Sequence, residues 1–438
     1  VAGTGLGLVV APRGDLPLVG VALLARCGHA ADPPGQAGCA ALLGEMLVRG
    51  AVRQGQAVDA AGMRRQAEAL GGSVEVAVSD ALLSLRMTVT TPRLPEALAL
   101  LADTLRQPLL SAREWPVVRD QARDGLGLRL RDPALLASLV ARRTAWGRSV
   151  HGTVITPESL ARLHRDDLVA MHRRWVRPDR AAVVLAGDID PAQARALMPA
   201  VLGGWRGRGA APELPAGPAD PVAGATWLVD MPGAAQACVI VAVPWRAGSA
   251  AELDAGRLAA AVLGGGHSAR LSQALRIRRG LTYGASARLE LQRAGALLVA
   301  QARTEPRHAA EVASIMREEV LGLATRPAGE AELAARRAAM LGVHARQLDT
   351  VEGLGAALAQ AWALGDPAAS VASLAERFGA IGPDAVRAFA GRHWPAARLR
   401  TVAAGRLGGA LAAFRALDPE AILHDAASLA LDSPSLRR

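Results

Sequence analysis

The sequence predicts an α+β protein built from two similar domains. Residues that alternate between apolar and polar at period two form grouped strand-like runs, and long helical segments follow them, which differs from a regular strand–helix–strand alternation. Features of the first half of the chain recur in the second half. A segment rich in proline, glycine and alanine separates the halves at 208–222 and has the composition of a linker. We therefore expect domains over 1–207 and 223–438.

The first half of the chain is predicted to contain strands and helices in separate groups. Gly50 and Gly71 end two of the helices, because glycine adopts the left-handed conformation of a C-terminal cap without penalty. In chain order, we predict strands at 6–12 and 18–27, helices at 37–48 and 58–70, strands at 73–78 and 81–89, and helices at 93–105, 111–129 and 133–143.

The end of each half has the same pattern of a helix, a tryptophan and a strand that finishes at a glycine. In the first half Trp175 precedes the strand that ends at Gly187, and in the second half Trp394 precedes the strand that ends at Gly405. The beginnings also correspond, since each half has a strand that leads through a turn into a helix ending at glycine. This correspondence indicates an internal duplication.

Composition and charge disfavour several classes of function. The 438 residues carry a formal charge of +10, but the chain has no lysine and no asparagine, as expected of a GC-rich genome. The arginines are scattered and form no basic tract interleaved with aromatic residues, so we do not predict nucleic-acid binding. The three cysteines form no CxxC pair, and no apolar run reaches the length of a bilayer span. The sequence therefore predicts a soluble globular protein without membrane insertion.

The segment from Gly264 to Gly284 contains the only tyrosine of the chain at a fixed distance from an arginine. Three glycines end one helix, Ser268 is suited to begin the next, and period-two alternation then predicts a strand that includes Tyr283. Arg276 near the helix end and Tyr283 could together hydrogen-bond an extended peptide backbone. Alternatively, Arg276 is one surface arginine among many and Tyr283 is an aromatic residue of the core.

This segment resembles the second-domain signature of the M16 peptidases, the insulinase-like family of pitrilysin and the mitochondrial processing peptidase. The signature reads LGGG-x-S-x-R-L-x-x-x-L-R-x-x-x-G-L-x-Y. The matching residues are Leu263 to Gly266, Ser268, Arg270, Leu271, Leu275, Arg276, Gly280, Leu281 and Tyr283. The resemblance implies that Arg276 and Tyr283 bind the backbone of a peptide substrate. It also implies two homologous domains, each an antiparallel sheet packed with helices, which form half of a clamshell.

The zinc motif of this family is degenerate in the sequence. Active members carry H-x-x-E-H on the first long helix of the first domain, because histidines four residues apart meet one zinc ion and the glutamate acts as general base. Aligned on that helix, Ala41 and Glu45 occupy the histidine positions, and Gly44 occupies the general-base position. Gly125 stands where the family has its third ligand. None of the nine histidines lies four residues from another, so we predict no catalytic residue and no metal in this chain.

The resemblance implies a catalytically silent subunit of a heterodimeric M16B-type zinc metallopeptidase. Its partner would be a homologous subunit that carries zinc, and the two would enclose an extended peptide. One alternative is a peptide-binding or scaffold protein of M16 fold with no protease partner, and a further one is a partner subunit in the processing of a quinone-cofactor precursor peptide. We expect a bacterial protein, in the periplasm rather than in the cytoplasm.

Overall fold

A computed structural model describes residues 5–207, 209–214, 221–222, 224–292, 295–433 and 436. Half of the predicted linker, residues 208 and 215–220, therefore lies outside the described residues. The chain forms two compact units, and neither is continuous in sequence. Unit 1 comprises 1–125, 155–215 and 344–372, and unit 2 comprises 126–154, 216–343 and 373–438. The division into domains over 1–207 and 223–438 stays a prediction.

The described strands follow the predicted ones closely in the first half. Each predicted strand of that half is found within two residues of its expected start. The strands are β1 Gly7–Pro12, β2 Leu18–Ala25, β3 Gly50–Arg53, β4 Gln56–Asp59, β5 Glu75–Val78, β6 Leu83–Thr90, β7 Ala181–Gly187, β8 Thr226–Asp230, β9 Ala237–Trp245, β10 Ala285–Gln292, β11 Gly295–Thr304, β12 Arg400–Gly405 and β13 Ile422–Asp425.

The helices surround these strands in both units. Several begin at a side-chain cap, such as Asp59, whose carboxylate accepts a hydrogen bond from the backbone N–H of Gly62. The helices are α1 Cys39–Leu47, α2 Ala60–Ala69, α3 Leu94–Arg106, α4 Trp115–Arg129, α5 Pro133–Trp146, α6 Pro157–Arg162, α7 Arg165–Trp175, α8 Pro191–Leu202, α9 Ala250–Gly264, α10 Ala309–Thr325, α11 Glu330–Leu348, α12 Val351–Leu364, α13 Leu374–Gly379, α14 Pro383–His393 and α15 Leu411–Leu417.

The two units contain sheets with the same strand order, which supports the predicted duplication. The sheet of unit 1 has the order β1-β7-β2-β6-β5, and the sheet of unit 2 has the order β8-β12-β9-β11-β10 with β13 added beside β8. The pairing directions also correspond: β7 lies parallel to β1 and antiparallel to β2, and β12 lies parallel to β8 and antiparallel to β9. The predicted α+β class is confirmed.

The sheets, predicted to be antiparallel, also contain parallel pairs. In unit 1 the strands β1 and β7 pair in parallel, and in unit 2 both β12 and β13 pair with β8 in parallel. Long connections join these strands, as parallel pairing requires, because parallel neighbours cannot be linked by a tight hairpin turn. Period-two alternation within one strand does not report the direction of its neighbour.

Each sheet is covered on one face by a helix that is remote in sequence. In unit 1 that helix is α12, whose apolar side chains pack against β2 and β7, and in unit 2 it is α5, which packs against β9 and β12. The buried residues of α5 include Ala137, Val140 and Ala141. The other face of the unit 2 sheet packs against α9, α10 and α14. Both faces are thus buried, which explains the continuously apolar sequences of β2 and β9.

One local feature was not predicted from the sequence. The strands β3 and β4 form a small hairpin between α1 and α2, where Gln54 and Gly55 make the turn with positive φ angles of 51° and 79°. The alternation over four residues is too short to distinguish such strands from loops.

Among the described helices, none is both long and apolar enough to span a bilayer.

Candidate functional site

The degenerate zinc motif lies on helix α1 of unit 1. The Asp32 carboxylate caps the helix by accepting hydrogen bonds from the backbone N–H groups of Gly38 (2.8 Å) and Ala40 (2.7 Å). Four apolar side chains, including Leu43 and Met46, fix the helix in the core. Ala41 is half-buried and Glu45 is exposed, so the two positions that hold histidines in active family members supply one methyl group and one lone carboxylate.

Gly44 aligns with the general-base position of the family, and side chains of strand β5 fill the space beside it. A β-carbon there would lie 2.8 Å from Cγ2 of Val78 and 3.1 Å from Cγ1 of Val76. A glutamate side chain would therefore force α1 and β5 apart or displace both valines. Val76 and Val78 thus occupy the space that a carboxylate side chain at this position would need.

Gly125, at the third ligand position, lies on the exposed surface of helix α4. A β-carbon built on it would meet no atom within 4 Å. Its neighbour Asp124 is also exposed. Over the residues that the structure describes, no three side chains of the metal-binding types His, Cys, Asp and Glu lie close enough together to hold a metal ion. Ala41, Gly44, Glu45 and Gly125 therefore do not fit a catalytic zinc.

The glycine-rich part of the segment 264–284 allows a close crossing of α9 over β10 in unit 2. A β-carbon at Gly264 would lie only 1.9 Å from the backbone nitrogen of Ala287, so no other residue fits there. Gly266 has a φ of +133°, which side-chain-bearing residues rarely adopt. These glycines bring the segment that carries Arg276 next to the start of β10.

Two arginines tie the same segment to helix α11. Arg270 forms a bidentate ion pair with Glu332, with both N–O distances at 2.9 Å, and this pairing raises the pKa of Arg270. Arg336 donates hydrogen bonds to the carbonyl of Gly265 (3.1 Å) and to the hydroxyl of Ser268. Within the family signature, Ser268 and Arg270 are thus structural residues that hold the segment in place.

Arg276 and Tyr283 form a stacked pair. The guanidinium carbon of Arg276 lies 5.1 Å from the centroid of the Tyr283 ring, within the range of a cation–π contact. Tyr283 is 88% exposed and Arg276 is partly exposed. A planar guanidinium above an open phenol ring presents hydrogen-bond donors and an apolar surface at one place.

Hydrogen bonds fix the two residues that precede Tyr283. The hydroxyl of Thr304 on β11 donates to the carbonyl of Leu281 (2.6 Å), and the hydroxyl of Thr282 lies 2.5 Å from the carbonyl of Arg303. Because Leu281 and Thr282 are held to β11, and Gly284 is bonded to the hydroxyl of Thr282, the ring protrudes from an ordered backbone. An exposed aromatic ring on a fixed backbone is more typical of a binding residue than of a core residue.

The structure changes the predicted secondary structure around this pair. The helix predicted to start at Ser268 starts two residues later, at Arg270, and continues as a π-helical segment, Ser272–Ile277, that carries Arg276. The predicted placement of Tyr283 on a strand is wrong, because β10 begins at Ala285. A π-helical turn is frequently found at a functional site.

His267 is a third member of the arrangement that the sequence did not single out. Nη1 of Arg276 lies 3.1 Å from Nδ1 of His267, so the guanidinium donates to the ring nitrogen of the neutral imidazole. The spacing of nine residues carries no helical signal. The sequence indicated His267 only through its place inside the family signature, between Gly266 and Ser268.

Comparisons with known proteins identify the family of this chain. Residues 10–125 match the insulinase family, Peptidase family M16, and residues 162–340 match the Peptidase M16 inactive domain, so the two matches together span more than half of the chain. The chain belongs to the M16 peptidase family. The insulinase match includes α1 with its degenerate motif, and the inactive-domain match includes the Arg276–Tyr283 pair.

Several M16-related proteins are similar to this chain. An uncharacterised zinc protease of Streptomyces coelicolor is 27% identical over 271 residues, which cover 59% of this chain and 57% of that protein. The chain thus matches little more than half the length of this relative. The crystal structure of a peptidase M16 inactive domain from Pseudomonas fluorescens has a TM-score of 0.83 at 18% identity, with 92% of this chain and 96% of that chain covered.

A second solved structure has the same fold. It is a protease from Helicobacter pylori, with a TM-score of 0.83 at 16% identity over 92% of this chain and 97% of that chain. The architecture is therefore that of M16 proteins across distant bacterial sequences.

Proposed function

We propose that this chain is a catalytically silent subunit of an M16B-type heterodimer and that it binds peptide substrate for a zinc-bearing partner. The observation that carries the proposal is the contrast between two positions. The general-base position at Gly44 is filled by Val76 and Val78, whereas Arg276 and Tyr283 form an open pair on a fixed backbone.

The Arg276–Tyr283 pair would bind and orient the peptide that the partner hydrolyses. The guanidinium of Arg276 would donate charge-assisted hydrogen bonds to peptide carbonyl oxygens, and the phenol of Tyr283 would add a further hydrogen bond while its ring packs against the peptide. Holding the substrate in a fixed orientation lowers the entropic part of the barrier to the reaction. In the partner, zinc would activate a water molecule and polarise the scissile carbonyl.

Co-purification with a zinc-bearing homologue tests this proposal. The partner is an M16 chain with an intact H-x-x-E-H motif encoded beside this one, and the measurements are size-exclusion chromatography and cleavage of an unstructured peptide. We expect a heterodimer that cleaves the peptide, whereas this chain alone should be inactive. If the chain stays monomeric with every such homologue and still binds peptide, the scaffold alternative replaces the proposal.

A further inference from the structure

Unit 1 contains a cavity of about 870 Å³ whose walls are strongly basic. It lies between the C-terminal end of α3, one side of α7 and the segment that follows α8. Among the described residues that line it, none carries a carboxylate. The charged or titratable residues that line it are Arg106, Arg165, His172, Arg173, Arg177 and Arg206.

Two of these arginines are already engaged within the fold. Arg177 forms a bidentate ion pair with Asp179, with N–O distances of 2.5 and 2.7 Å, and donates to the carbonyl of Ala210. Arg165 donates to the carbonyl of Leu110 and to the carboxylate of Asp166 at 3.2 Å. These two residues shape the wall and contribute little uncompensated charge.

The other three guanidiniums have no carboxylate partner among the described residues. Arg106 donates to the carbonyl of Val201 (2.9 Å), its Nε is buried without an acceptor, and burial lowers its pKa. The nearest acid in sequence, Asp103, is paired with Arg53 at 3.0 Å. Arg206 donates only to backbone carbonyls, and Arg173 is exposed.

His172 adds no positive charge at neutral pH. Its Nε2 lies 2.7 Å from the carbonyl of Leu105, and burial, together with the charge of Arg173, lowers its pKa although that hydrogen bond opposes the shift. The ring is therefore a neutral donor to the backbone. The charge of the cavity comes from Arg106, Arg173 and Arg206 alone.

We propose that this cavity binds a small molecule with a phosphate or pyrophosphate group. Uncompensated like charges on one concave surface raise the local potential and attract a multiply charged anion, and planar guanidiniums match the oxygens of phosphate in bidentate geometry. The apolar residues Leu109, Val169 and Val176 line the rest of the cavity and suit the uncharged part of such a ligand. The volume and concavity favour a small molecule over an acidic peptide segment.

Titration calorimetry of the full chain with pyrophosphate, in 0.15 M salt, tests this site. Arg173→Ala and Arg206→Ala are the informative variants, because both side chains are exposed and neither holds another side chain in place. The control is Arg195→Ala, which removes the same charge from an exposed position on α8 outside the cavity. The measurement needs no partner subunit, so its result is independent of the proposed peptidase role.

We expect saturable binding of one pyrophosphate per chain. Each informative variant should weaken binding about tenfold or more, since it removes a charge-assisted hydrogen bond, and Arg195→Ala should leave the affinity unchanged. Absence of saturable binding, or equal loss in all three variants, would overturn the assignment. It would also be overturned if a hexaglutamate peptide bound through Arg173 and Arg206 while pyrophosphate did not bind.

Discussion

Gly44 on helix α1 lies against Val78 on strand β5, at the position where the family resemblance predicts a catalytic carboxylate. A β-carbon at Gly44 would approach Cγ2 of Val78 to 2.8 Å. The degenerate zinc motif therefore combines missing histidines with close packing that leaves little room for a side chain at Gly44.

Gly44→Ala should destabilise the protein by about 1 to 3 kcal/mol, because the added methyl group overpacks the contact with Val76 and Val78. The midpoint of urea unfolding measures the change. The matched control is Gly125→Ala on the exposed face of α4, where the added methyl group meets no atom within 4 Å. That variant should stabilise the protein by about 0.5 to 1 kcal/mol, since alanine favours a helix over glycine. A Gly44→Ala protein as stable as Gly125→Ala would contradict the packing argument.

The purified chain should hold no stoichiometric zinc. Ala41, Gly44 and Gly125 carry no metal-binding side chain, and Glu45 alone cannot complete a tetrahedral site. Elemental analysis of the protein after dialysis measures the zinc content. One tightly held zinc per chain, with peptide cleavage that a chelator abolishes, would contradict the proposal that this chain is a catalytically silent subunit.

The three cysteines should not react with a thiol reagent in the native protein. All three are buried, and burial is the main cause that raises the pKa of Cys238 to about 12 and raises the pKa values of Cys27 and Cys39 as well. Since the thiolate is the reactive form, native protein should remain unlabelled at pH 8, and three thiols should react after denaturation in guanidinium. Fast labelling of any thiol in the native state would show that the buried regions open readily.

Much of the fold follows from local patterns in the sequence. The strands β2 and β6 and the helices α3 and α5 were predicted within a few residues, because apolar periodicity and capping residues mark them directly. The repetition of these patterns also predicted the duplicated topology.

Three features depend on contacts that the sequence does not display. The pairing of β1 with β7 in parallel, and the packing of α12 on unit 1 and α5 on unit 2, are long-range relationships between distant segments. The contact of His267 with Arg276 depends on the crossing at Gly264 and on the π-helical turn. Arg276 and Tyr283 themselves were selected by resemblance to the family signature.

The Arg276–Tyr283 pair is the site to which we assign the proposed binding of peptide substrate. Arg276→Ala removes the guanidinium, and Tyr283→Phe removes only the hydroxyl and keeps the ring that lies under Arg276. Arg278→Ala is the control, because Arg278 is an exposed arginine two residues further along. None of the three side chains is buried, so each variant should fold and assemble normally.

The most direct test is peptide turnover by the heterodimer that contains each of these variants, measured together with its zinc content and assembly. Arg276→Ala should lower turnover by about ten- to a hundredfold, the effect of losing a charge-assisted hydrogen bond. Tyr283→Phe should lower it less, and Arg278→Ala should leave it nearly unchanged, with zinc and assembly intact throughout. Equal effects from all three substitutions, or no effect from the first two, would show that Arg276 and Tyr283 do not bind the substrate.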